Sequence, residues 1–522
     1  MPDSDTNSNS ASSPLSDYFT TDHSRSDLRT RALRSATVTI IAQGCTFVAG
    51  TAGTIILARL LTPRDFGLVT MVLSISLLLQ NFGTNGFIEA TIQRPEIHHR
   101  LISTFFWANV ALSFVLTLLF MASAPVIAWF YKEPLLKPIV VVMAVPILLS
   151  GLSTQHQALL MRKLNFYRTS VYEVGAAIIS LAVAVLLALR GWGYWALVAK
   201  WVVSPLVITA GAWIMCGWRP GAPSRRTGVR PMLRFAFNTY GNFVLNYLGK
   251  TVDKILVGRF QGSQPLGNYD RAYQLSNMLP NQLVNPLANV AIASFSRLSN
   301  DPEKYRRNYL QVLSILSFVC MPISAALTLM GKDLILLLLG PQWTAAGELF
   351  TVFGFSIGVM MLYMTHAWLH LSLGTPGRWF RWSIIALTIT VVFIAVGLRF
   401  GAFGVAVGYS ASFYVLLAPA LWYAGRPVHL RLSFIVSAIW KYYVSALATG
   451  LLCWYVLHKA VLTSNVFNQL GILYRIVLTL FACVLIYLPL VVLFYGSLKP
   501  VSQFIFVLRE MIPNTFSAKR TR

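Results

Sequence analysis

The fold is decided by a ten-residue pattern that is present twice, as ARLLTPRDFG at residues 58–67 and as GRFQGSQPLG at residues 258–267. Both copies begin with a small residue, an arginine and an apolar residue, and both end with an apolar residue and a glycine. Each copy follows one long apolar stretch and precedes the next. The offset of 200 residues favours two parallel halves with the same helix order over a chance similarity between two short loops.

The composition excludes a soluble globular protein. Of the 522 residues, 56% are hydrophobic and only 11% are charged, whereas a soluble domain carries about 25% charged residues. The 42 Lys and Arg residues exceed the 17 Asp and Glu residues and give a net charge of +25. In a soluble protein such an excess would suggest nucleic acid as the partner. The five cysteines lie in apolar stretches and are interpreted as small buried hydrophobic residues: Cys45, Cys216, Cys320, Cys453 and Cys483.

The charge-free intervals predict the membrane spans. A helix that crosses the bilayer needs about 20 mostly apolar residues, and fourteen intervals qualify, three of them only when a neighbouring charge lies within the membrane. The sequence therefore predicts an all-α polytopic membrane protein with about 14 transmembrane helices, in two six-helix lobes plus two C-terminal helices. The intervals are 35–58, 66–88, 101–131, 138–161, 174–189, 201–218, 235–249, 272–296, 308–331, 349–377, 382–398, 400–425, 442–458 and 476–498.

The chain divides accordingly into five predicted segments. The first is rich in Ser, Thr, Asp and Asn and lacks the apolar core of a signal peptide, so we expect a disordered cytoplasmic tail. The third is a basic cytoplasmic linker that joins the lobes. The predicted bounds are 1–32 for the tail, 33–217 for the N-terminal lobe, 218–233 for the linker, 234–425 for the C-terminal lobe, and 426–522 for helices 13 and 14 with a basic tail.

The distribution of basic residues predicts the orientation. Basic residues concentrate in cytoplasmic loops, and with the N-terminus inside, 28 of the 42 fall on the cytoplasmic side and 11 on the outer side. Both termini are therefore predicted to be cytoplasmic. Most of the positive charge then reports topology and contact with anionic membrane lipid, so nucleic acid is excluded as a partner.

Polar side chains form stripes on several predicted helices. The seventh carries Asn or Lys at four-residue steps, which places them on one face of a helix, and the eighth repeats the pattern at three- and four-residue steps. The stripes favour a hydrated cavity between the halves over simple hydrogen bonds between helices, which Asn commonly makes in membranes. The residues are Asn238, Asn242, Asn246, Lys250 and Lys254 on the seventh helix, Gln274, Asn277, Asn281, Asn285 and Asn289 on the eighth, and Asn81, Asn85 and Glu89 on the second.

The charged residues within the membrane predict an anion site. Lys200, Lys250 and Lys254 outnumber Asp253, which we expect to pair with Lys250 or Lys254. Charges in the membrane are costly and mark function or pairing, and phosphate oxygens are a natural partner for a lysine.

The other titratable residues of the predicted helices give weaker indications of function. Glu89 and Glu173 are candidates for carrying a coupling proton or cation, and a structural role is equally open. His366 and His370 are four residues apart but have no acidic or cysteine partner nearby, so packing is favoured over a metal site. No cofactor is predicted, although a coupling proton or sodium ion is left open.

Several motifs resemble a known family. The segments at 58–67 and 258–275, with Phe295-Ser296-Arg297-Leu298 and Gly340-Pro341-Gln342-Trp343, are similar to the polysaccharide transporter branch of the multidrug/oligosaccharidyl-lipid/polysaccharide exporter superfamily, in particular to the colanic-acid type of lipopolysaccharide flippases. The resemblance covers about residues 33 to 425. One departure is Lys254, which follows Asp253 where the family usually has Asn.

The resemblance implies two six-helix lobes around a cationic cavity. It also implies alternating access that moves a polyprenyl-diphosphate-linked oligosaccharide across a bacterial inner membrane, for exopolysaccharide, capsule or lipopolysaccharide biosynthesis. A polysaccharide polymerase and export machinery would be the partners. A multidrug exporter of the same superfamily is the alternative, but it would need acidic residues in the cavity. A glycan polymerase or ligase is a weaker alternative because the predicted outer loops are short, so no enzymatic activity is predicted.

Overall fold

A computed structural model describes residues 25–93, 97–224, 244, 247–459, 467 and 469–511. Regular structure in this part of the chain is helical, which confirms the all-α prediction. The helices are α1 Arg25–Leu60, α2 Pro63–Gln93, α3 His99–Ala122, α4 Ala124–Tyr131, α5 Leu136–Met143, α6 Val145–Arg162, α7 Phe166–Leu189, α8 Tyr194–Cys216, α9 Val252–Gln261, α10 Ser263–Ser296, α11 Pro302–Leu339, α12 Thr344–Met364, α13 His366–Ser372, α14 Pro376–Gly397, α15 Gly401–Gly425, α16 Leu432–Trp454, α17 Ile472–Tyr495 and α18 Lys499–Met511.

The described residues contain ten segments that are long and apolar enough to cross a membrane, so the chain is a multi-pass membrane protein. One of these segments, Pro376–Val428, contains both α14 and α15. Each predicted interval overlaps at least one helix among the described residues, and most of the interval 235–249 lies outside them. The count of 14 helices stays a prediction.

Two of the predicted spans are divided by proline. The interval 101–131 contains α3 and α4, which meet at Ser123, and Pro125 lies in the first turn of α4. The interval 138–161 contains α5 and α6, which meet at Ala144, and Pro146 lies in the first turn of α6. Proline is favoured in a first turn, where its missing N–H has no helical partner, so both prolines suit the start of a new helix. Charge-free intervals do not reveal these breaks, because no charged residue marks them.

The chain forms two compact units, one of Met1–Thr251 with Gly262–Gln264 and one of Val252–Gln261 with Pro265–Arg522. In the first unit α7 packs against α8 and α1, and α6 packs against α2 and α3. In the second unit α11 packs along α12 and α16, while α15 packs against α12 and α14. Helix α1 begins at Arg25 and so extends into the segment predicted as a disordered tail; the other predicted domain boundaries stay predictions.

The start of the predicted linker is packed onto the first unit. Trp218 is buried among Phe106, Tyr172 and other core side chains, and His156 Nε2 donates to the Trp218 carbonyl oxygen at 3.2 Å. The Gly221 amide donates to Ser103 Oγ at 2.9 Å. Residues 225–233 of the linker lie outside the described residues.

Both copies of the repeated motif lie across a helix junction. In the first copy, Thr62 and Asp65 cap α2 reciprocally: the Asp65 amide donates to Thr62 Oγ1 at 3.3 Å, and the Thr62 amide donates to Asp65 Oδ2 at 2.9 Å. The motif then closes with Gly67, which is so near the second copy that a Cβ atom would lie 1.7 Å from the Ser263 carbonyl oxygen. Only glycine fits at position 67, because the Ser263 carbonyl group, which belongs to the same compact unit, occupies the space that a side chain would need.

Candidate functional site

A buried ionic network joins α9 to α10 within the second unit. Its centre is Asp270, whose side chain is 1% exposed. The Lys254 ammonium lies 2.8 Å from Asp270 Oδ1, and Arg271 Nη2 donates to Asp270 Oδ2 at 2.6 Å. Gln274 Nε2 donates to the same Oδ2 atom at 2.9 Å. A buried carboxylate with several donors is stable only while these donors remain, because their loss would leave a charge without solvation.

Asp253 belongs to the same network but not in the predicted way. Its Oδ1 atom accepts from the Lys254 amide at 2.8 Å, and its Oδ2 atom accepts from the Tyr269 hydroxyl at 2.8 Å. The predicted ion pair of Asp253 with a lysine is therefore corrected. The Lys254 side chain extends to Asp270 instead, because the chain turns between α9 and α10 at Gly262, whose φ of +88° suits glycine.

Aromatic side chains enclose the network. The Lys254 ammonium lies 4.8 Å from the centre of the Tyr273 ring, and the Tyr273 and Tyr409 hydroxyls are 3.2 Å apart. Phe353 packs edge-on against Tyr269, with ring centres 5.5 Å apart. A cation over an aromatic face gains further stabilisation when water is excluded. Lys254 is accordingly held in place, with only 16% of its side chain exposed.

The network changes the charge balance predicted for this position. The predicted helix offers Asp253 as the carboxylate near Lys254, whereas in the structure Asp270 supplies a second carboxylate and Arg271 a second cation. Arg271 is buried within α10. The positive charge of Lys254 is therefore matched inside the second unit, and the predicted anion site depends more strongly on Lys250 and Lys200.

Lys250 differs from Lys254 in its surroundings. It is exposed and lies in a turn, where the amides of Lys250 and Thr251 donate to carbonyl oxygens three residues back, at 3.0 and 3.1 Å. Helix α9 begins only at Val252, so the helix predicted to run unbroken through both lysines is interrupted. The prediction that Lys250 and Lys254 share one continuous face is corrected for this reason.

The other predicted charged residues lie on helices of the first unit. Lys200 is half-buried on α8. Glu89 and Glu173 are exposed on α2 and α7. Their roles in anion binding and in coupling stay predictions.

The polar stripe of α10 is largely exposed. Asn277 is half-buried and donates to the Tyr273 carbonyl oxygen at 2.9 Å. Asn281 and Asn285 are exposed, and Asn285 Nδ2 donates to Asn281 Oδ1 at 3.5 Å. Asn246 lies outside the described residues. The exposed amides can hydrogen-bond a polar ligand, whereas the Asn277 amide is bonded to a carbonyl oxygen of its own helix.

The two histidines are buried in packing positions of the second unit. His366 Nδ1 lies 2.6 Å from the Tyr363 carbonyl oxygen, and His370 Nδ1 lies 3.1 Å from Thr375 Oγ1. Among the described residues, no group of three or more His, Cys, Asp or Glu side chains is arranged to hold a metal ion.

Asp270 and Arg271 were missed by the sequence reasoning. Both were visible within the motif at residues 266–275, where an Asp-Arg pair directly precedes a long apolar interval. Adjacent opposite charges at the start of an apolar stretch are the signal that could have found them, because such residues can be buried together.

The helical fold is similar to the folds of two solved membrane proteins. The chain is similar in structure to the lipid II flippase MurJ in an inward closed conformation, with a TM-score of 0.69 and 13% identity, over 88% of this chain and 99% of that one. It is also similar to an inward-facing multidrug resistance MATE family transporter of the MOP superfamily, with a TM-score of 0.57 and 14% identity, over 75% of this chain and 96% of that one.

The chain belongs to the family described as polysaccharide biosynthesis protein, whose model matches residues 56–348. It is 25% identical to the lipopolysaccharide biosynthesis protein WzxC of Escherichia coli (strain K12), over 74% of this chain and 80% of that protein. It is also 25% identical to the succinoglycan biosynthesis transport protein ExoT of Rhizobium meliloti (strain 1021), over 66% and 69% of the two chains. The teichuronic acid biosynthesis protein TuaB of Bacillus subtilis (strain 168) is 26% identical, over 70% and 77%.

Proposed function

We propose that this protein is a flippase that moves a polyprenyl-diphosphate-linked oligosaccharide across the bacterial inner membrane by alternating access. The observation that carries the proposal is the family match over residues 56–348 in a chain with ten apolar spans. The name of one relative supports it, since that relative is a transport protein of succinoglycan biosynthesis. The function is transport, and the protein is not an enzyme.

Lys250 is the principal ligand of the diphosphate in this proposal, with Lys200 as a second. An exposed ammonium can approach a phosphate oxygen, and a charge-assisted hydrogen bond of this kind is about twice as strong as a neutral one. Lys254 acts through Asp270, whose carboxylate it neutralises at 2.8 Å. Lys254 is therefore a positioning residue that fixes α9 beside α10.

The exposed amides of α10 are the proposed contacts for sugar hydroxyls. Asn281 and Asn285 each present a donor and an acceptor, which suits the mixed hydrogen bonding of a hydroxyl group. Within the second unit, Asn277 donates to the Tyr273 carbonyl oxygen and Asp253 accepts from the Tyr269 hydroxyl. Asn246 is proposed as a further sugar contact from its spacing before Lys250 alone.

The cellular setting follows from the charge distribution. Both termini are proposed to lie in the cytoplasm, and the flipped glycan would pass to a polymerase and export machinery. Glu89 and Glu173 are the proposed carriers of a coupling proton or sodium ion, because both are exposed carboxylates on helices of the membrane region.

The test is transport of a fluorescent polyprenyl-diphosphate oligosaccharide in proteoliposomes. Replacing Lys250 by Ala should lower the initial rate about 10- to 100-fold, because a hydrogen bond to a charged group contributes about 1.5–3 kcal/mol. Lys250→Arg should retain most of the rate. Lys332→Ala, which removes an exposed partner of Glu348, is the matched control and should transport normally.

The same vesicles distinguish the multidrug alternative. Uptake of an organic cation with no movement of the lipid-linked glycan would refute the proposed substrate. A normal glycan rate in Lys250→Ala would leave the flippase intact but refute the assigned phosphate ligand.

A further inference from the structure

A charged groove lies beside the N-terminal turns of α11 in the second unit. It has a volume of about 540 Å³, and its lining includes the apolar side chains of Leu310 on α11 and Phe434 on α16. Arg306 and Arg307 also line the groove. The groove therefore combines apolar side chains with guanidinium groups, a combination suited to a ligand with both anionic and apolar parts.

The length of α11 indicates where the groove lies relative to the membrane. The helix has 38 residues, which corresponds to about 57 Å at about 1.5 Å per residue. The charge-free stretch 308–331 is about 36 Å long by the same measure and is enough to cross a hydrocarbon core of about 30 Å. Arg306 and Arg307 directly precede this stretch, so they lie at the level of the lipid headgroups.

The charges of the groove do not cancel. Asp301 caps α11 by accepting from the Lys304 amide at 3.0 Å, and its carboxylate also pairs with the Lys304 ammonium at 3.0 Å. These hydrogen bonds hold the pKa of Asp301 below its usual range, so the carboxylate stays ionised and matched to Lys304. Arg306 and Arg307 then face one further acidic residue, Glu303. The lining carries one net positive charge.

Arg306 is oriented by an aromatic contact. Its guanidinium carbon lies 5.5 Å from the centre of the Phe434 ring, and the side chain is half-buried. A cation–π contact with a ring restricts the guanidinium, and a guanidinium can make a planar, two-point contact with phosphate oxygens. The adjacent Arg307 is exposed and can reach the same ligand.

We propose that this groove binds the headgroup of a monoanionic phospholipid, with the phosphate on Arg306 and Arg307 and the start of an acyl chain on Leu310 and Phe434. A single negative charge complements the net charge of the lining, and the depth of the site matches a membrane lipid better than a dissolved ion. The site is separate from the Asp270 network and does not depend on the transported substrate.

Native mass spectrometry of the full chain, released from micelles containing phosphatidylglycerol or phosphatidylcholine, tests the proposal. The wild type should retain phosphatidylglycerol at least about tenfold better than phosphatidylcholine, and Arg306→Gln/Arg307→Gln should lose about tenfold of that retention. Phe434→Leu, which removes the aromatic ring but keeps both charges, should show a smaller loss. Arg399→Gln, at an exposed arginine between α14 and α15, is the control and should bind as the wild type does.

Three outcomes would overturn the proposal. One is equal retention of the two lipids by the wild type. Another is an unchanged preference in a folded double variant or, if that variant does not fold, in Phe434→Leu. The third is displacement of the lipid by inorganic phosphate alone, which would indicate a site for a dissolved anion.

Discussion

Replacing Asp270 by Asn should destabilise the second unit more than any change at its partners. The substitution keeps the shape of the side chain but removes the charge that faces the Lys254 ammonium at 2.8 Å and the Arg271 guanidinium at 2.6 Å. Both cations would then remain beside a buried side chain, since the Asp270 side chain is only 1% exposed. Without the carboxylate charge, the cost of removing the two cations from water would no longer be offset.

The magnitude follows from the geometry. Two unit charges 2.8 Å apart attract by about 6 kcal/mol at an effective dielectric constant of about 20. Desolvation cancels part of this, and removing one partner of a buried pair typically costs about 3–5 kcal/mol. Lys254→Gln should cost less, about 1.5–3 kcal/mol, because Arg271 and Gln274 still donate to the carboxylate.

The assay is a double-mutant cycle on the free energy of unfolding, measured by SDS titration of the purified protein in micelles. The double variant Lys254→Gln/Asp270→Asn should lose about 2 kcal/mol less free energy of unfolding than the two single variants lose together. Lys332→Gln, which breaks an exposed pair with Glu348, should change stability by less than about 1 kcal/mol. Additive single effects, or a smaller loss for Asp270→Asn than for Lys254→Gln, would refute the argument that the pair is a buried, coupled unit.

Two predictions concern the first copy of the repeat. Gly67→Ala should lower the free energy of unfolding by about 1–3 kcal/mol or more, because its Cβ would meet the Ser263 carbonyl oxygen. Gly44→Ala, where nothing lies within 4 Å, should be neutral or stabilising, and equal effects of the two changes would contradict the packing argument. Thr62→Val should cost about 1 kcal/mol by removing the hydroxyl that caps α2, and an unchanged SDS midpoint would count against the cap.

The helices were predictable from the sequence because apolar length is a strong signal in membranes. Their ends were less predictable, and α10 shows why. The charge-free criterion started this helix at residue 272, whereas it begins at Ser263 and includes Asp270 and Arg271. A charge that is neutralised by a neighbour can be buried, and a criterion that counts single charges cannot recognise the pair.

The candidate site was predicted in part for the same reason. The sequence singled out Lys254 and Asp253, and both lie in the buried network. The partner of Lys254 was not predictable from spacing along one helix, since it comes from α10 across a tight turn. The turn at Lys250 likewise interrupts the regular spacing on which a common face with Lys254 depended.

The central claim is tested most directly in living cells, by locating the lipid-linked oligosaccharide in the inner membrane. When the gene is deleted, the glycan should accumulate in the cytoplasmic leaflet, where a glycan-cleaving enzyme added to spheroplasts cannot reach it. Restoring the wild-type chain should make the glycan accessible, and Lys250→Ala should restore little. A glycan that is fully accessible in the deletion strain, with no redundant flippase present, would contradict the account.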